Sequence, residues 1–144
     1  MLQAINIDLD DKTEKSIGSN GKRRYWDIWF AVPETNKFFV VTIYKGKIER
    51  VEDLTVEGTT PYPQKEFVLL EDIKYDSPDL LEKALKLGVL YPGKNWAKGY
   101  NFMLRKDPET GITLMLIIGW NKELDQMVAV YFNAKNGERL VTSN

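Results

Sequence analysis

The run "YNFMLRKDPETGITLMLIIGWNKELDQMVAVYFNAKNGERLV" (residues 100–141) holds apolar segments cut by the polar clusters DPETG, NKELD and NAKNG. The segments 100–106, 112–120, 126–132 and 138–141 are short and rich in β-branched and aromatic residues. Bounded as they are by Asp, Asn, Pro and Gly, they predict four antiparallel strands joined by tight turns.

Just upstream, "SPDLLEKALKLG" (77–88) has helical spacing. Ser77 is a candidate cap, Pro78 suits the first helical position, Asp79 complements the positive end of the dipole, and Gly88 suits a left-handed stop. Leu80, Leu81, Ala84, Leu85 and Leu87 form the apolar stripe, with Glu82, Lys83 and Lys86 toward water. "VLYPGKNWAKG" (89–99) connects this helix to the meander as a loop.

The first part of the chain is also strand-rich. Ile5, Ile7 and Leu9 alternate in "LQAINIDLD" (2–10), and Ser19-Asn20-Gly21 marks a turn closing a first hairpin. In "YWDIWFAV" (25–32), Trp26, Ile28, Phe30 and Val32 read as the core face, with Tyr25, Asp27, Trp29 and Ala31 opposite. "KFFVVTIY" (37–44) is apolar on both faces, which predicts a layer over each side of the sheet. Gly46 punctuates before a more exposed strand in "KIERVEDLTV" (47–56). "EGTTPYPQKE" (57–66) reads as a linker and "FVLLEDI" (67–73) as a short strand. The expected organisation is an α+β protein: a first strand-rich unit over 1–57, a linker and short strand over 58–76, and a helix with a four-stranded meander over 77–144.

The corner "VPETN" (32–36) returns as "DPETG" (107–111), and a shift of 75 residues also pairs Tyr25 with Tyr100. Strand, turn and strand then fall in the same order in both parts, as in a weakly repeated unit. Pro33 and Pro108 are expected to start each bend, and Asn36 and Gly111 to finish it with positive φ.

Composition narrows the chemistry. Of 144 residues, 43% are hydrophobic and 28% charged, which places the chain in the globular class. The 20 basic and 21 acidic residues nearly cancel, so no field draws in nucleic acid. The sequence has no cysteine and no histidine. Thiol chemistry is excluded, and so is the usual general base near neutral pH. An enzyme would have to work through carboxylates such as Asp27, Glu34 or Glu109; the reading favours a non-catalytic protein with no catalytic residues, no metal and no cofactor. The apolar stretch "GITLMLIIGW" (111–120) is about half the length of a membrane-crossing helix.

The helix, the strand "VAVYFNAKNGERL" (128–140) with Val128, Val130, Tyr131 and the Asn136-Gly137 turn, and the shorter "VVTIYKGKI" (40–48) with Tyr44 and Gly46 together resemble the PepSY domain. This is a small α+β module similar in shape to the cystatins. The resemblance covers 77–141 and, more loosely, 24–51; it departs in lacking a helix before the first part and in an extra strand in the second. It implies a tandem, extracytoplasmic bacterial binding module, secreted or membrane-anchored through a removed N-terminal segment, that regulates a peptidase or engages another cell-envelope component. The chain's opening directly on a strand fits such a trimmed start. The alternative expectation is an assembly domain that buries a sheet face in a homo-oligomer or a larger protein.

Candidate ligand-contacting residues are Tyr25, Asp27 and Trp29 on one strand face, Trp96 in the Pro-Gly loop, and Trp120 at a strand end. The acidic cluster Asp8, Asp10, Asp11 and Glu14 lacks the glycine and terminal glutamate of a calcium loop and reads as solvated. Lys22-Arg23-Arg24 is expected to be solvated or paired with neighbouring carboxylates.

Overall fold

Alternating apolar residues become strands only where neighbouring strands satisfy their backbone groups, and here they do so in one sheet. A computed structural model of the chain describes residues 1–6 and 17–141. Its strands are β1 (Gln3–Ile5), β2 (Tyr25–Ala31), β3 (Phe38–Tyr44), β4 (Lys47–Asp53), β5 (Asn101–Lys106), β6 (Thr113–Trp120), β7 (Met127–Asn133) and β8 (Arg139–Leu140). They form a continuous antiparallel sheet in the order β4-β3-β2-β1-β5-β6-β7-β8. Two meanders therefore meet on the short strand β1, which pairs Gln3, Ala4 and Ile5 with Trp29, Ile28 and Asp27 on one side and with Arg105, Leu104 and Met103 on the other.

The helix α1 (Ser77–Leu85) lies over the β5–β7 half. It buries Leu80, Leu81 and Ala84 against Phe102, Leu104, Met115, Ile117, Val130 and Phe132. Its cap is Asp76, whose carboxylate accepts from the Ser77 N–H at 2.7 Å. Ser77 instead donates its hydroxyl to the Gly21 carbonyl at 2.6 Å. Gly21 packs so closely that a Cβ there would lie 2.3 Å from Pro78 Cα. The Ser19–Gly21 turn thus seats the helix start, closed by Gly21 N–H to the Gly18 carbonyl at 2.9 Å. The helix also ends earlier than its spacing predicts, and Leu85 faces outward at 39% exposure.

Several other expectations change. The segment 67–73 is no strand: Phe67 and Val68 are buried beneath it, Val68 N–H bonds the Met1 carbonyl, and Leu70–Asp72 form a 3-10 turn. In β1 the buried residue is Ala4 rather than Ile5, which is half-buried, and Asn6 just after the strand is buried too. Asn6 Oδ1 accepts from Phe102 N–H at 2.9 Å, so the side chain extends the β1–β5 ladder. Ile7, Leu9 and the acidic cluster 8–14 lie outside the described residues.

The strand buried on both faces is β6, where every residue from Thr113 to Gly119 is buried. Leu114, Leu116 and Ile118 pack beneath Met103, Ile112, Ala129, Tyr131 and Leu140 on the face away from α1. On β2 and β3, by contrast, the helix-side layer runs out. Trp26 and Ile28 reach the core, but Phe30 and Val32 are exposed.

Arg23 is neither solvated nor a simple surface ion. At 8% exposure it donates Nε to the Tyr100 carbonyl at 3.1 Å, and Nη2 to the Lys98 carbonyl at 2.8 Å and to Asn101 Oδ1 at 2.6 Å. This clamps the start of β2 to the start of β5.

Candidate functional site

Strand direction decides where the two PET corners stand. Both β2 and β5 run antiparallel to β1, so the turns that follow them emerge at the same end of the sheet, two strand spacings or about 10 Å apart. Between them β1 begins only at Gln3, while β2 and β5 continue to Ala31 and Lys106. The missing length of strand leaves a groove of about 290 Å³ lined by Leu2, Gln3, Trp29, Glu66, Arg105, Lys106 and Pro108. Trp29 is 38% exposed, held edge-on against Phe38 with ring centroids 5.6 Å apart, and Phe38 packs in turn on Tyr62 at 5.9 Å. The groove therefore has a braced aromatic wall on one side and Arg105 with Pro108 on the other; Glu66 also lines it, and Lys106 is paired with Asp72 at 3.7 Å.

The glutamates of the two corners do not line it. Glu34 Oε1 accepts from Gln64 N–H at 3.1 Å, while the Glu34 N–H donates to the Tyr62 carbonyl at 2.9 Å. Its role is to tie down the chain leaving β4. Glu109 is exposed on its turn. The corners also differ in shape. In the first, Glu34 rather than Asn36 takes the left-handed conformation (φ 58°), with Thr35 N–H bonded to the Val32 carbonyl at 3.2 Å. In the second, Gly111 is left-handed (φ 70°) and its N–H reaches the Asp107 carbonyl at 2.8 Å.

The other candidates fall in two places. Tyr25, Asp27 and Trp29 share one face of β2, and the first two are occupied internally. The Tyr25 phenol donates to Glu49, a carboxylate partner that holds its pKa above the ordinary value. Asp27 accepts from the Thr42 hydroxyl at 2.7 Å. Trp96 and Trp120 meet edge-to-face at 6.2 Å beside the end of β6. Trp120 packs close against Gly93, where a Cβ would lie 2.6 Å from its Nε1; Trp96 is 49% exposed. The register places Trp29 level with Leu114, so this pair stands about 20 Å along the strands and about 14 Å across them from Trp29. The five residues do not form one surface.

Gln3, Arg105 and Pro108 were not legible as site residues, because only the premature start of β1 brings them together. The one sequence signal was the shared order of strand and corner in the two meanders. Among the described residues no group of three or more Asp or Glu gathers in metal-binding fashion. No helix among them is long and apolar enough to cross a membrane. No protein-family model matches the chain, and no curated protein or solved structure matches it.

Proposed function

We infer that the chain is a non-catalytic binding module, and that its ligand is a peptide segment carrying an acidic group beside an apolar side chain. The exposed, braced indole of Trp29 across a narrow groove from the exposed Arg105 carries this reading. At about 290 Å³ the groove is at the lower limit of small-molecule pockets, a size that suits one or two side chains of a larger partner. In this reading the module is of the PepSY type, acts outside the cytoplasm, and engages a peptidase or another cell-envelope component.

The two meanders are read as related units. Support comes from matching hairpin closures, Val32 N–H to the Lys37 carbonyl at 3.2 Å and Asp107 N–H to the Ile112 carbonyl at 2.9 Å. Thr35 and Thr110 also play the same part, their hydroxyl oxygens accepting from Lys37 and Ile112 N–H.

Tryptophan fluorescence and amide chemical shifts, followed during titration with a set of extended peptides bearing Asp or Glu next to Leu or Phe, test the proposal. The expected result is saturable perturbation at Trp29, Gln3 and Arg105 that Trp29→Ala weakens at least about tenfold. Perturbation confined to Trp96, or none with any peptide and none with secreted peptidases, would sink it.

A further inference from the structure

We propose that a second copy of this chain pairs antiparallel along the edge strand β4, joining two eight-stranded sheets into one. An edge strand carries a row of outward backbone donors and acceptors, and natural edges are usually shortened, charged or bulged to discourage pairing. At the far edge β8 spans only Arg139–Leu140. At the near edge β4 runs seven residues, "KIERVED", all exposed except Glu52. Its charges and its bulge are arranged to match themselves.

The faces of β4 follow from its pairing with β3. Lys47, Arg50 and Glu52 lie opposite Tyr44, Thr42 and Val40, on the face of Tyr25, Asp27 and Trp29. Ile48 and Val51 lie opposite Ile43 and Val41, on the helix face. The register shifts between Thr42 and Ile43, which leaves Glu49 as the extra residue of a bulge, and its carboxylate takes the Tyr25 phenol on that same first face. Glu49 and Arg50 are therefore neighbours in sequence that point the same way, as a bulge permits.

Opposing residues in an antiparallel pair must share a face. For two copies of β4 the bulge makes this possible when the two-fold axis passes between Glu49 and Arg50. Lys47 then faces Glu52 of the second copy, Glu49 faces its Arg50, and Ile48 faces its Val51, each contact occurring twice. A slip of one residue sets Arg50 against Arg50 or Glu49 against Glu49. A slip of two sets Glu49 against Glu52 or Lys47 against Arg50. Among registers within two residues of it, the face-matched one is thus also the one in which no like charges meet.

The apolar contact has something to gain. Ile48 is 68% and Val51 59% exposed, and they border the half-buried Phe39, Val41 and Ile43 and the exposed Phe30 on the part of the sheet that α1 does not cover. Arg50 now leans on Glu52 of its own strand at 3.4 Å and would exchange it for the second copy's Glu49. Exposed ion pairs add little affinity, so they set the register while the backbone ladder and the Ile–Val contacts supply the binding. Because the two-fold pairing uses β4 of both copies, it closes on itself as a dimer.

Sedimentation velocity of the whole chain, from micromolar to millimolar concentration, tests this. The expected result is a concentration-dependent dimer that Lys47→Glu weakens about tenfold. The swap Lys47→Glu with Glu52→Lys regains it, because the reversed pair re-forms between copies. A monomer at every concentration overturns the proposal. So does a dimer indifferent to Lys47→Glu, or a swap no better than the single change.

Discussion

Asp107 and Asn133 fold their loops into the same shape with different chemistry. Each closes a hairpin by a bond to the residue five positions on, each carbonyl accepts from a left-handed glycine, Gly111 or Gly137, at 2.8 Å, and each side chain accepts a backbone N–H two residues ahead. Asp107 also accepts the Thr110 hydroxyl at 2.6 Å. That hydroxyl first, and the Glu109 N–H second, hold its carboxyl below the ordinary aspartate value. A group whose folded pKa is depressed stabilises the fold above its unfolded value and loses that contribution as pH falls through the lowered one. Asp107→Asn should keep the loop, as Asn133 does in its twin, while flattening the stability profile below the ordinary aspartate range. Urea midpoints measured across the acid range for both proteins check this; an unchanged acid slope would remove Asp107 from the account. The two PET corners share letters without sharing a shape. Three shared letters favour a bend, but the bend's geometry follows the residue before the proline and the glycine after the threonine, so DPETG resembles NAKNG more than VPETN.

At the scale of elements, periodicity was a good guide to which residues form strands and a poorer guide to what covers them. Every strand from β2 to β8 lies within or beside a segment that alternation and turn residues marked out, because both signals are local. Cover is not local. The apolar residues on both sides of β3 called for two layers, yet the doubly buried strand is β6, at the position that α1 and the neighbouring strands enclose. The helix shows the same limit. Helical spacing placed Leu80, Leu81, Ala84, Leu85 and Leu87 in one stripe, but α1 ends at Leu85; Leu80, Leu81 and Ala84 are buried and Leu87 packs against the core from beyond the helix, while Leu85 is exposed. Leu81→Ala, at 3% exposure among core residues, should cost about 2–5 kcal/mol, whereas Leu85→Ala should cost under about 1 kcal/mol. Thermal or denaturant unfolding of the two variants decides the matter, and equal losses would mean that the helix is rotated relative to this packing.

Over the whole molecule, the buried core is unevenly shared. The main cluster draws on α1, β5, β6 and β7, takes Ala4 from β1, and reaches β2 only through the half-buried Trp26 and Ile28. The β2–β3–β4 meander is therefore held to the rest by the three-residue strand β1, by the Arg23 clamp, and by the anchoring of the 62–68 segment to Thr35 and Met1. Regions with little buried apolar area open at lower free energy than the global transition. Amides of β3 and β4 should accordingly exchange through a partial opening, while those of β5, β6 and β7 wait for global unfolding. Ala4→Pro sharpens the contrast: proline removes the residue's backbone donor in the middle of the β1 ladder, and strand interiors tolerate it poorly. Native-state hydrogen exchange should then show protection falling in β2–β4 well before it falls in β6, with the α1 amides little changed. Equal loss everywhere would mean that the two meanders unfold as one cooperative unit and that β1 is a seam with no hinge.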